Sequence, residues 1–446
     1  MKQNNKMKIL TNITTIFLYT LFSIFILYCG NVGYVGIFQA KFNMFCLICG
    51  GYIGLMLLLA IELIIVGDIK FDAKKFIKSI TIPQWFALLY MMLTWVSAII
   101  SPHFPETLLG LSRYEGAITI SLYCLTFVLI ASFGRITERM IYVFSIIVFL
   151  FDILCIAQLN GYNPFSLFPE GYDYYDAFKS YNGQFLGTLG NTDTVAAFLC
   201  IAIPLLWLSI VRLDGKKKWF IILPLLTSLY VVFKMWVLAG VLGIILGGIV
   251  ILPFSLSLTG KQKKIAIVGI LSVLLVCLVG IYFSATNNGL IYEIKELLHG
   301  NIDGSFGSGR IFIWQEVLQG APNHIWFGSG PDTMIKANLQ PFIRYDDTLQ
   351  GSIVAQIDVA HNEYLNILFH QGIFALMAYI LLIISVLTPW MRKGNNNRYI
   401  GILGGVIVCY LIQAFFGFST CVVSPLLWTF LGLLAKEHQM EVQSYE

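Results

Sequence analysis

The chain has 446 residues, 58% of them hydrophobic and 12% charged. That balance excludes a soluble globular fold of this size, which would expose too much apolar surface to water, and leaves an all-α polytopic membrane protein. The formal net charge of +4 is too small to imply a nucleic acid partner.

A helix needs roughly 17 to 25 apolar residues to cross a bilayer, and about twelve such runs occur in chain order. They cover residues 13–29, 42–66, 82–100, 117–133, 140–158, 192–211, 219–235, 237–257, 265–284, 362–388, 399–418 and 422–435. Residues 219–258 are nearly continuous, and only Lys234, Met235 and Trp236 suggest a turn there. Ten-residue alternation is absent, so membrane strands are not expected. The first run follows cations as a signal peptide does, but no small-residue cleavage site follows Cys29, and it reads as a retained helix. Cys46 and Cys49 have CxxC spacing inside an apolar run, which fits packing better than metal or disulfide chemistry. No metal site or cofactor is indicated, and the whole of residues 1–446 reads as one integral membrane domain.

Cations set the orientation. On this map 20 of the 28 Lys and Arg fall at the amino terminus or in alternate gaps, among them Lys70, Arg135, Lys216, Lys261 and Arg398. By the positive-inside rule both termini are cytoplasmic, and the long segment 285–360 faces outward. A polar loop of that length between apolar spans is uncommon unless it has a function, because ordering it costs conformational entropy.

The outward segments hold the candidate chemistry. Arg113-Tyr114-Glu115-Gly116 precedes the fourth run, where the arginine and carboxylate either serve a site or pair and snorkel. A polar aromatic stretch with Asp173, Tyr174, Tyr175 and Asp176 leads to Gly187-Thr188-Leu189-Gly190-Asn191-Thr192-Asp193, in which Asn191 or Thr192 can cap the sixth helix. Gly307-Ser308-Gly309-Arg310 opens what reads as an amphipathic interfacial helix, with Trp314 among the lipid headgroups. Trp326-Phe327-Gly328-Ser329-Gly330 follows, then Ala360-His361-Asn362-Glu363-Tyr364-Leu365 at the start of the tenth run. A neutral imidazole at His361 can accept a proton from a hydroxyl, and Asn362 can orient a substrate, or His361 simply bonds a neighbouring helix end.

These pieces, in order, with Gln371-Gly372-Ile373 after them, resemble the O-antigen ligase and polysaccharide polymerase family over about residues 105 to 435. The arginine-to-His-Asn block is the specific part. The resemblance implies a fold similar to the C-type lipid-dependent glycosyltransferases. It also implies transfer of a saccharide from a polyprenyl diphosphate carrier to a glycan, lipid or protein acceptor, on the outer face of the cell membrane and without a metal. In that reaction Arg310 and His361 would be catalytic. Arg113 and Lys234 would bind diphosphate, with Glu115 as a reserve base, Asn191 and Asn362 would bind substrate, and Trp314, Trp326 and Tyr364 would contact sugar or prenyl chain. Many members carry an arginine where this chain has Lys234-Met235-Trp236. Lys234 then either replaces that arginine as a point charge, without its bidentate fork, or marks the turn.

A transporter or flippase for a similar lipid or solute is the competing reading, since about twelve helices suit either. Transport favours ionisable groups near the midplane, for which Glu62 and Asp152 are the acidic candidates within the runs. Convergence of Arg310 and His361 on one outer site favours transfer chemistry.

Overall fold

The computed structural model describes residues 2–31, 33–66, 72–167, 173–174, 179–180, 187–255, 258–346, 351–393 and 397–443. Lys70, Tyr175 and Asp176 lie outside the described residues. The chain is dominated by helices: α1 (Lys2–Thr20), α2 (Gly33–Phe45), α3 (Gly51–Ile65), α4 (Ala73–Ser79), α5 (Ile82–Ile100), α6 (Ala117–Phe133), α7 (Glu138–Leu159) and α8 (Thr192–Arg212). Then come α9 (Ile222–Met235), α10 (Leu238–Ser255), α11 (Gly260–Tyr282), α12 (Gly289–Leu298), α13 (Arg310–Gly320), α14 (Glu363–Lys393), α15 (Arg398–Ala414) and α16 (Ser424–Gln443). By length and composition eight stretches are able to cross a membrane, and three shorter apolar helices accompany them at Ala117–Phe133, Leu238–Phe254 and Arg398–Ala414.

Two short antiparallel pairs depart from the all-helical expectation. β1 (Asp173–Tyr174) pairs with β2 (Lys179–Ser180), and β3 (Phe342–Asp346) pairs with β4 (Gly351–Ala355) in the register Phe342 to Ala355. Both lie in polar connections, where hairpins satisfy backbone groups that no helix takes up.

The core is built around α8 and α15, buried along nearly their whole lengths. Helix α10 packs into both through glycines. A Cβ at Gly240 would lie 2.9 Å from Ala196 Cβ, and one at Gly247 would lie 2.4 Å from Cys409 Sγ. Close backbone approach of this kind replaces the hydrophobic drive that lipid does not supply. Lys41 is fully buried, yet its ammonium donates to the carbonyls of Phe25 (2.5 Å) and Ile26 (2.9 Å), which the turn ending the first helix leaves unsatisfied. By contrast α11 buries none of its apolar window and stands at the periphery.

Helix α14 is broken. Gly372 has φ +83 and ψ 178, so two helical pieces meet there. The Trp326-to-Gly330 turn docks onto this break: Ser329 N–H donates to Phe369 O, Gly330 N–H to His370 O and Ile373 N–H to Ile325 O, at 2.9, 2.9 and 2.8 Å. Gly328 and Gly372 interlock so tightly that a Cβ on either would fall within 2.3 Å of the other segment's backbone. The two glycine motifs are therefore two halves of one joint. A second small core of Ile313, Val317, Met334, Ile357, Ala360 and Phe369 fastens α13 to the start of α14.

Candidate active site

The loop before α6 is shaped by Asp332. Its Oδ2 accepts the backbone N–H of Ser112 (3.0 Å), Arg113 (2.8 Å) and Glu115 (3.4 Å), while Leu111 N–H donates to its carbonyl. Burial lifts the Asp332 carboxyl to about 6 against the pull of these donors, and Asp358 adds to the rise. Tyr114 takes φ +59 and stacks on Phe42 at 4.6 Å. So held, Arg113 meets Asp358, with Nε at 2.9 Å and Nη2 at 2.8 Å from one oxygen that also accepts Ser112 Oγ at 2.6 Å. Its guanidinium lies over the Phe418 ring at 5.3 Å. Glu115 is not its partner; that carboxylate accepts the Tyr123 hydroxyl at 2.7 Å. Burial pushes the Glu115 carboxyl well above the usual range, and Asp332 and Glu363 push it the same way.

The second arginine arrives from the long loop. Gly309, at φ +84, lies under the Phe342 ring, where a Cβ would come within 2.2 Å, and α13 starts at once with Arg310. Arg310 Nη1 donates to Gly307 O (3.0 Å) and Nε to Phe416 O (3.3 Å), and Nη2 lies 4.0 Å from Asp193 Oδ1. Asp193 stands in the first turn of α8, whose cap is Asn191, with Oδ1 accepting Asp193 N–H at 2.7 Å.

The other oxygen of Asp193 faces His361, 3.8 Å from Nδ1. Backbone φ at His361 is +47, and the residues around it are pinned. Ala360 N–H donates to Asn366 Oδ1 (2.7 Å), Ala360 O accepts Trp314 Nε1–H (2.9 Å), and Asn362 Oδ1 caps α14 by accepting the N–H of Tyr364 and Leu365, both at 3.0 Å. The imidazole meets Phe418 edge-on at 5.2 Å. Burial lowers its pKa from 6.5 to about 4, Asp193 opposing that and Arg310 aiding it, so the ring is neutral near pH 7.

Arg113, Arg310 and His361 are thus gathered, around Asp193, Asp358 and Phe418. The sequence reading passed over the acidic partners, although Asp193 closes the glycine run at the start of α8, Asp358 lies three residues before His361 and Asp332 follows Gly330-Pro331. Several other expected residues stand elsewhere or are otherwise engaged. Trp314 is packed against Phe415 at 5.6 Å and Phe416 at 6.4 Å, and α13 buries Ile313 and Val317 in protein, so the interfacial helix with a headgroup tryptophan is corrected. Trp326 is 61% exposed and stacks on Phe374 at 5.5 Å. Tyr364 gives its hydroxyl to Leu411 O at 2.9 Å. Asn191 and Asn362 are helix caps. Lys234 is exposed at the end of α9, its ammonium 5.8 Å from the Tyr230 ring centre, and among the described residues it forms no hydrogen bond or ion pair. No cluster of His, Cys, Asp and Glu among the described residues is arranged to hold a metal ion.

The chain is thus a many-helix protein of the multi-pass membrane class in which two arginines and an imidazole gather where a polar loop meets the helix ends. Residues 227–380 match the family model described as O-Antigen ligase, so that segment is similar to this family. No curated protein matches the chain.

Proposed function

We propose that the protein is a membrane glycosyltransferase of the ligase or polymerase type, moving a saccharide from a polyprenyl diphosphate carrier to an acceptor hydroxyl on the outer membrane face in surface polysaccharide synthesis. The observation that carries this reading is that Arg310 and His361 approach the two oxygens of one carboxylate, Asp193, at 4.0 and 3.8 Å. Arg310 holds its carboxylate loosely, at 4.0 Å, and is placed to take diphosphate oxygens in a charged fork, whereas Arg113 would have to exchange its closer pairing with Asp358. With the ring proton on Nδ1, facing Asp193, Nε2 is left to take the acceptor proton. The acceptor oxygen bonds to the anomeric carbon, the bond from that carbon to the diphosphate oxygen breaks, and the leaving group's negative charge falls to Arg310 and Arg113. Asp193 then steadies the imidazolium. Lys234 serves best as a peripheral cation steering the carrier, since an exposed ammonium lacks a fixed aim.

Among the transport candidates, Glu62 is exposed on α3, and Asp152 is buried between α7 and α9 with Thr227 and Ser228 donating to it at 2.8 and 2.7 Å. They do not share the polar site, which favours transfer over transport. The test is His361→Ala and Arg310→Ala in cells whose surface glycan is measured. Loss of glycan, with lipid-linked saccharide accumulating at normal protein level, is expected. Normal glycan would remove both roles. Single repeat units on the carrier would identify a polymerase and long chains a ligase.

A further inference from the structure

Helix α12 inverts the pattern of a helix on a water-facing surface. Leu290, Ile291, Leu297 and Leu298 fall within about a third of its circumference, at 100° per residue, and so share one face. Each is 38% exposed or more. The charged residues lie on the other side and are turned to neighbouring chain: Glu293 accepts Gly307 N–H at 3.0 Å, Lys295 donates to Thr286 O at 2.9 Å, and Glu296 accepts from Asn301 Nδ2 at 2.7 Å. The Lys295 and Glu296 side chains are only 15% and 18% exposed. Water favours the reverse, charges outward and leucines covered, whereas hydrocarbon favours what is found.

The neighbouring helix says what covers that face. Only residues 283–288 separate α12 from α11, whose apolar window is not buried at all. Val268, Leu271 and Val273 are exposed on different sides of α11, and a helix that is apolar all round and unburied by protein needs lipid around it. His299, just past α12, stacks on Tyr282 at 4.1 Å with the rings nearly parallel, which ties the far end of α12 to the end of α11. A short helix pinned at the mouth of a lipid-clad span, with its leucines outward, has the bilayer surface as its neighbour.

We propose that α12 is an interfacial helix that docks its face of Leu290, Ile291, Leu297 and Leu298 into the bilayer, on the side where residues 285–360 lie. The interfacial place expected of α13 falls to α12 instead. Through Glu293 the docked helix holds the Gly307 turn, three residues before Arg310, and Tyr292 meets Phe306 of the same turn edge-on at 6.2 Å. It thereby sets the height of Arg310 relative to the membrane surface. The docking does not depend on the transfer reaction proposed above.

The experiment places the photoreactive residue p-benzoylphenylalanine at Ile291 or at Leu298 of the full-length protein, reconstituted in vesicles of phosphatidylethanolamine and phosphatidylglycerol. The same residue at Cys277, exposed on α11, gives the lipid reference, and at Gln340, exposed just before β3, the water reference. After illumination, mass spectrometry of the intact protein detects phospholipid adducts, and a denaturing gel detects cross-linked copies of the chain. Adducts at Ile291 and Leu298 that approach the yield at Cys277 and exceed that at Gln340 by about fivefold or more are expected. Both positions are exposed, and if one variant is not produced the other decides. Adducts no more frequent than at Gln340, or cross-links to a second copy in place of lipid, overturn the proposal.

Discussion

His361 owes its position to backbone as much as to its neighbours. Its left-handed φ of +47 is uncommon for a residue with a Cβ and persists because Asn366, Trp314 and Asn362 hold the peptides on either side. Removing the indole N–H with Trp314→Phe should lower kcat by about tenfold with little change in KM, since misplacement of a reacting group slows the step more than binding. Steady-state kinetics on a lipid-linked donor checks this. His361→Ala should cost a factor of about 10² to 10⁴ in rate, the range for a general base, while protein level stays normal.

The pH dependence has a definite sign. Because the folded pKa of His361 is depressed, the ring stays neutral well below the ordinary imidazole range, and the acid limb of kcat/KM should lie below about pH 5. An acid limb near 6.5 would place the imidazole in water. Bound diphosphate favours the imidazolium, so the limb in kcat should lie higher than that in kcat/KM. The same depression works against folding in acid: the unfolded chain takes up this proton near 6.5 and the folded chain only near 4, so stability declines as pH falls across that interval.

Among elements, the broken α14 and the turn docked on it form a rigid joint beneath the site. Gly372 lies in a backbone region that is essentially glycine's alone, and a Cβ there would lie 2.3 Å from Trp326 O. Gly372→Ala should destabilise the protein by about 1 to 3 kcal/mol, seen as a lowered Tm in detergent, and should loosen Arg310 and His361 together because Phe369 ties α13 to α14. The α10 glycines make a separate test of helix packing. Gly247→Val should cost about 1 to 3 kcal/mol through overpacking against Cys409, without touching the site residues directly. A Tm unchanged by that substitution would show that α10 and α15 do not approach closely.

At the scale of the whole molecule, the twelve apolar runs all overlap helical segments, eight stretches of which are long and apolar enough to cross a membrane, and the helix break falls at Trp236, which has φ +46. Membrane sidedness is a matter for labelling. Reporter fusions should place the carboxyl terminus in the cytoplasm, and a tag within residues 285–360 should react with an impermeant reagent from outside. The reverse labelling would invert the reading of the cation pattern.

Helix positions were legible because a long apolar run has few other solutions in lipid, where every backbone polar group must be satisfied within the chain. Arg113, Arg310 and His361 were legible as chemistry because each stands in a polar stretch beside an apolar span. Their partnership was not, because Asp193, Asp332 and Asp358 are far from the arginines in sequence and only folding brings them together. Nor did the sequence separate Trp314, turned inward to a carbonyl, from Trp326, left exposed, or tell that Gly328 and Gly372 are two faces of one contact. Composition and periodicity determined the membrane class and the helices, since these depend on local hydrophobicity. The tertiary structure alone decided the site, since ion pairs and hydrogen bonds act over a few ångströms between residues that chain order keeps far apart.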